Sequence, residues 1–188
     1  MSGFVRRVPE SDHRERMICA DCGHIDYQNP KIVVGAVVVS QGAVLLCRHA
    51  IEPRVGFWSL AAGYLELGET LEEGATREIW EEGQARIMLE GILGIFSISR
   101  IGQVHVMFRA LLSEAGARPH FAAGAESLEA GLFPWDRTPW DNIAFPSTRW
   151  TLDAWRRSGI GPLGAPAGNP ADDARGTKPL VMPPAASS

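Results

Sequence analysis

Glu78 and Glu82 stand four residues apart in Arg77-Glu78-Ile79-Trp80-Glu81-Glu82, where acids are costly. The stretch from Thr70 to Gly83 reads as a helix. It opens with a T-x-x-E capping box, Thr70 and Glu73, and stops at a glycine suited to a left-handed C-terminal residue. At about 100° per residue, Leu71, Ala75 and Ile79 fall within an arc of ~80°, and Glu78 and Glu82 lie inside that arc or at its edge. Both acids therefore point inward with the apolar stripe. Two carboxylates roughly 6 Å apart repel one another when buried and take up protons unless cations neutralise them. A divalent metal is the obvious remedy, and hard carboxylate oxygens favour Mg²⁺ or Mn²⁺ over zinc. The competing reading is a solvated helix face on which Glu73, Arg77 and Glu81 form i,i+4 pairs worth a few tenths of a kcal/mol; it is the weaker of the two.

The elements that must hold this helix follow from the flanking sequence. Ile32 to Ser40 and Ala43 to Arg48 are β-branched-rich runs joined at Gln41-Gly42, a plausible hairpin, and Trp58 to Tyr64 leads into the helix. Further strands are predicted at Ala85 to Leu93, Gly94 to Ser99, Val104 to Leu112 and Leu128 to Phe133, with a second helix at Ser147 to Arg157. That order gives an α/β (α+β) fold, a mixed sheet with helices packed on it. Residues 1–30 form a small appendage around Cys19-Ala-Asp-Cys22-Gly23-His24, half of a zinc ribbon; residues 31–157 form the catalytic domain; residues 158–188, rich in Gly, Pro, Ala and Ser, are expected to be disordered.

At 188 residues and 45% hydrophobic content the chain supports one sizeable core. A formal charge of -4 and a pI near 5.7 argue against a dominant nucleic-acid-binding surface and fit a site that uses metal ions to receive an anionic substrate. The sequence holds no long apolar run and no signal-peptide core, so neither membrane insertion nor export is expected, and three cysteines do not make a disulfide framework. A cytoplasmic protein is the expectation.

The segment from Gly63 to Ala85 closely resembles the signature of Nudix hydrolases, G-x5-E-x7-R-E-(apolar)-x-E-E-x-G-(apolar). Gly63, Glu69, Arg77, Glu78, Ile79, Glu81, Glu82 and Ala85 fit, while Gln84 replaces the final glycine and Gly83 comes one place early. The resemblance extends to Cys-x-x-Cys-Gly, Tyr-x-Asn-Pro-Lys, the strand Val33 to Val39, Gly56-x-Trp58-x-Leu60, Gly124-x-Glu126-Ser127 and Pro139-Trp140-x-x-Ile-Ala-Phe145. These are similar to the Nudix branch with an N-terminal zinc-ribbon motif, related to NADH, FAD and ADP-ribose pyrophosphatases. The fold this implies is an α/β/α sandwich around a mixed sheet.

The resemblance implies divalent ions held by Glu78 and Glu82, a backbone carbonyl ligand from Ala62, and close backbone approach at Gly63. Glu81, about 60° to the other side of Glu78, is a supporting ligand or base. Arg77 points away from the acidic arc on helical geometry, and in the family its counterpart pairs with the acid matching Glu69, a structural role. Glu126 resembles one more metal-binding glutamate, with Glu129 as its competitor. Trp58 or Phe57 could stack a base or flavin ring, with core packing the favoured role for Trp58. Trp80, opposite the metal arc, faces another helix or a homodimer partner. His105 and His120 have no ligand spacing.

Tetrahedral zinc needs four ligands, and this chain offers Cys19 and Cys22, with His13 and His24 only weakly supported by spacing. A vestigial ribbon without zinc is expected; an upstream knuckle missing from this sequence is the other explanation. The implied substrate is a nucleoside diphosphate derivative, FAD or ADP-ribose, because Phe96 to Val104 lacks the NADH-pyrophosphatase motif. NADH, dinucleoside polyphosphates and a noncatalytic nucleotide sensor are the alternatives, and a zinc-ribbon nucleic-acid module is disfavoured.

Overall fold

The computed structural model describes residues 3–113 and 120–176, and the chain divides between Pro30 and Lys31 into two units. In the first unit Phe4–Arg7 (β1), Arg16–Cys19 (β2) and Ile25–Asp26 (β3) form an antiparallel sheet in that order. Asp12 fastens the β1–β2 connection by accepting the Arg16 Nε–H at 2.7 Å and the backbone N–H of His13 at 2.7 Å. The cysteine pair occupies the β2–β3 turn. Gly23, at φ +73°, brings its N–H to the Cys19 carbonyl at 2.9 Å. Cys19 is buried and Cys22 exposed. Hydrogen bonds from the amides of Cys22 and Asp21 and from the Cys22 thiol hold the Cys19 thiol below its usual pKa.

The second unit is built on Lys31–Ser40 (β4) and Ala43–His49 (β5), a hairpin turning at Gln41 and Gly42, both with positive φ. Trp58–Ser59 (β6) pairs with β5 and Ala62–Tyr64 (β7) with β4. Leu71–Gly83 is helix α1; Ile87–Ile98 (β8), Gln103–Leu112 (β9) and Ser127–Pro134 (β10) follow, and Pro146–Ser158 is α2. The strand order is β10-β5-β4-β9-β8, with β4 and β9 parallel and the remaining pairs antiparallel. This is the expected mixed sheet.

Alternation along β4 decides the layers, because successive strand side chains point to opposite faces. Val34, Ala36 and Val38 join Ala75 and Ile79 of α1, whereas Val37 joins Trp150, Leu152 and Ala154 of α2. Each fully buried valine or isoleucine adds about 1.5–3 kcal/mol relative to exposure, so the two helices are fixed on opposite faces by the strand pattern itself. No helix among the described residues is long and apolar enough to cross a membrane.

Two sequence expectations change. The strands predicted at 85–93 and 94–99 are one strand, β8, whose register against β9 shifts between Leu89 and Gly91 and between Ile92 and Gly94. These bulges mimic a break in the sequence while pairing continues through them. The tail expected to be disordered from Ser158 is ordered over residues 159–176. Ala167 exchanges backbone hydrogen bonds with Leu93 and Ile95 at 2.9 and 2.8 Å, and the Asn169 amide does the same with Ser97. Buried Arg109, paired with Glu90 at 2.7 Å, donates to the carbonyls of Gly159 and Gly161, and Trp150 Nε1 donates to Asp173 at 2.7 Å. Backbone pairing and single polar anchors hold this segment, and neither leaves apolar periodicity in the sequence. Residues 177–188 lie outside the described residues.

Candidate active site

Helix α1 is placed by both of its ends. At the N-terminus Thr70 Oγ1 accepts the Glu73 N–H at 3.2 Å while the Glu73 carboxylate accepts the Thr70 N–H at 2.8 Å, a capping box of the kind worth about 1 kcal/mol. At the C-terminus the loop before β10 reaches back: Ala122 N–H donates to the Gly83 carbonyl at 3.0 Å and Gly124 N–H to the Glu82 carbonyl at 2.9 Å. A Cβ on Gly124 would overlap the Glu81 carbonyl. That contact brings Glu126 to the end of the helix.

The left-handed residue is Gln84 (φ +45°), not Gly83. Gly83 is the last helical residue, and a Cβ there would stand in ordinary contact with Cys47 and Leu45, 3.4 Å from each. The early glycine is therefore not the left-handed cap, and Gln84 carries the conformational cost.

On the acidic face the Glu78 carboxyl fills the space above Gly63, where any Cβ would overlap it. Gly35, beneath on β4, likewise leaves room for Ala61 and Ala62. Arg77 does not point away from this face. Its Nε and Nη2 donate to the two Glu69 oxygens at 2.6 and 3.0 Å, Nη1 reaches Glu78 at 2.7 Å and Glu81 at 3.0 Å, and Nη2 also donates to the Tyr64 carbonyl at 3.0 Å. A long side chain near the edge of a helical arc crosses it easily, which the Cα angle alone does not reveal.

The electrostatics divide accordingly. The guanidinium holds the Glu69 carboxyl down at about 2. Burial pushes Glu78 up, and its hydrogen bond from Arg77 opposes that rise. Glu82 is pushed up to about 8, first by burial, then by the Glu78 charge, with Glu126 and Glu81 adding, against a lowering backbone hydrogen bond from Ala62. Among the described residues no Lys or Arg pairs with Glu82, and no three His, Cys, Asp or Glu side chains are drawn together as around an ion. The donor set nevertheless suits a hard divalent cation: oxygen ligands, with Glu78 buried and Glu82 partly buried, both raised by burial and Glu82 further by the Glu78 charge.

The remaining sequence candidates separate. Glu126 is exposed, accepts the Ala50 N–H on its carbonyl at 2.9 Å, and its charge is felt at Glu78 and Glu82. Glu129 lies instead 3.8 Å from Arg48, both side chains well exposed. Trp58 takes the core role rather than the stacking one: it is 9% exposed, with its ring 4.8 Å from Phe133 edge to face. Phe57 is half-buried, with Arg54 over its ring. Trp80 is exposed on the outer helix face beneath Arg86. His105 is buried enough to fall to about 4 and bonds Gln103 at 3.0 Å. Sequence reasoning missed Gly35 and Gly124; a glycine inside the β-branched run of β4 is the available signal of close backbone approach.

An arginine-braced helix of glutamates over a strand glycine, on a mixed sheet between two helices, defines a class. Residues 29–151 match the NUDIX domain and residues 2–28 the zinc-ribbon segment described as Nudix N-terminal; the chain belongs to the Nudix hydrolase family. A Nudix hydrolase structure from Nitrosomonas europaea is 39% identical, with a TM-score of 0.79, and the match covers 88% of this chain and 91% of that one. An ADP-ribose pyrophosphatase of Methanocaldococcus jannaschii is 28% identical over 131 residues, 69% of this chain and 76% of that protein. The NAD-capped RNA hydrolase NudC of Edwardsiella ictaluri is 30% identical over 122 residues, 65% of this chain. The chain spans 46% of NudC and, at 39% identity over 77 residues (41% of this chain), 48% of a MutT-like protein of Streptomyces ambofaciens.

Proposed function

We propose that this chain hydrolyses the diphosphate linkage of a nucleoside diphosphate derivative, ADP-ribose or FAD, releasing AMP with ribose 5-phosphate or FMN. The observation that carries the reading is Glu82, raised to about 8 beside Glu78 with no Lys or Arg partner among the described residues, on a helix whose Glu78 and Glu81 share Arg77. Glu78 and Glu82, with Glu126 and the Ala62 carbonyl, would hold Mg²⁺ or Mn²⁺. When bound, such ions polarise phosphoryl oxygens and lower the pKa of a water ligand. Arg77 fixes one Glu78 oxygen, and Gly63 lets the strand lie against that carboxyl. Glu81, exposed and bonded to Arg77 through one oxygen, is free to accept a proton through the other as water adds to phosphorus and the bridging oxygen departs. Phe57 is the aromatic left to meet a ring once Trp58 is in the core. The similarity to an ADP-ribose pyrophosphatase supports the first substrate, and the sequence at Phe96–Val104 supports poor use of NADH.

A hydrolysis screen with Mg²⁺ and Mn²⁺ over ADP-ribose, FAD, NADH and diadenosine polyphosphates, reading AMP, tests this. ADP-ribose or FAD should lead in kcat/KM. NADH leading by tenfold, about 1.4 kcal/mol of transition-state binding, contradicts the substrate reading, and no hydrolysis of any of the four contradicts the activity.

A further inference from the structure

Strand β8 is one edge of the sheet, and the segment after α2 lies against it. Over the middle of the strand the outward backbone groups are met one by one. The Leu93 carbonyl accepts the Ala167 N–H at 2.9 Å and Ile95 N–H donates to the Ala167 carbonyl at 2.8 Å. The Asn169 carboxamide takes the next place, accepting the Ser97 N–H at 2.8 Å and donating to the Ser97 carbonyl at 2.9 Å. Asn169 thus does with its side chain what a strand residue does with its peptide. The approach needs a glycine: a Cβ on Gly94, which is bridged in parallel to Ala167, would overlap the Phe96 ring and stand 3.2 Å from the Ala167 carbonyl oxygen. Arg109 holds the carbonyls of Gly159 and Gly161 at one end of the segment, and Trp150 Nε1 donates to Asp173 near the other.

The strand beneath is suited to pairing with itself. Ile87–Ile98 is 12 residues long and carries one charge, Glu90, which is drawn to Arg109 at 2.7 Å, while Met88 and Ile95 are exposed. A long edge with no free charge is a template for another strand, and a copy of itself turned about a two-fold axis supplies the complementary antiparallel edge. The covering segment does not pass that property on, because Pro162, Pro166 and Pro170 interrupt it and lack an N–H.

We propose that the β8 edge is a self-association surface for a second copy of this chain, and that residues 159–176 are the strap that keeps it closed. Light scattering on the full chain, read together with amide hydrogen exchange at Ile95 and Ser97, tests this. Ala167→Pro combined with Asn169→Ala removes one backbone donor and both carboxamide bonds. In dilute solution the double variant should exchange the Ile95 and Ser97 amides at least about tenfold faster than the wild type. On concentration its mass should rise to about twice the wild-type value and the two amides should regain protection, while the wild type keeps one mass over the same range. Ile95→Lys added to the double variant should restore the wild-type mass, because it sets like charges across the paired edge. Fast exchange with no rise in mass overturns the proposal, as does a rise that Ile95→Lys leaves in place, or exchange that stays at the wild-type rate. Should the double variant not fold, Asn169→Ala alone decides: faster Ser97 exchange with a rise in mass upholds the strap, and a wild-type mass overturns it.

Discussion

The acidic cluster on α1 has two ends that are treated differently. At one end Glu69, ahead of the helix, shares one guanidinium with Glu78 and Glu81 and stays ionised down to about 2. At the other, in the last helical turn, Glu82 meets burial, Glu78 and Glu126 without a Lys or Arg partner among the described residues, and rises to about 8. The same residue type is thus stabilised as an anion at Glu69 and destabilised at Glu82. An internal cation builds a scaffold, whereas a missing one builds a binding site for an external cation.

The sharpest break comes from the uncompensated end. Glu82→Gln and Glu78→Gln should each lower kcat at least about a hundredfold, or ~2.7 kcal/mol of transition-state stabilisation; near-wild-type turnover in both would end the comparison. Arg77→Met should act through the scaffold, removing roughly 1–3 kcal/mol of unfolding free energy in denaturant, because it strands three acids that are only partly screened by water. An unchanged midpoint would show that the brace contributes nothing.

The two ends should also differ in pH dependence. With Glu82 raised from its ordinary 4.5 to about 8, the folded chain keeps a proton that the unfolded chain has lost. Stability of the metal-free protein should therefore fall as pH rises through that window, and Glu82→Gln should flatten the fall. Glu69, lowered from 4.5 to about 2, gives the opposite sign: its contribution is present above the ordinary value and lost as pH drops toward 2. Melting temperatures in chelator from pH 4.5 to 8 separate the two, and a curve that rises across the range contradicts the assignment for Glu82.

The smallest effect lies at the helix exit. Gln84→Gly should stabilise the chain by about 0.5–1 kcal/mol, since glycine accepts the left-handed conformation at little cost. A lower melting temperature would mean that the Gln84 side chain compensates for its backbone.

The helix, its capping box and the inward acids were legible because each rests on local spacing: Thr70 with Glu73, Leu71 with Ala75 and Ile79. The mixed sheet followed from apolar runs and from resemblance. What escaped depends on tertiary geometry. Arg77 reaches Glu78 and Glu81 because of its side-chain length. The segment around Ala167 is ordered by backbone pairing with β8, to which any residue but proline contributes equally. The Arg48 neighbour of Glu129, the competitor to Glu126, comes from β5 and had no trace in the local spacing.

The most direct test of the central contrast is to count protons as Mn²⁺ binds. Calorimetric titration at pH 7 in buffers of different ionisation enthalpy reports how many protons leave with each ion. A Glu82 near 8 is largely protonated there, so the wild type should release close to one proton per ion and Glu82→Gln should release almost none. Binding of equal affinity and no proton release in both would contradict the claim that this end of the helix awaits an external cation.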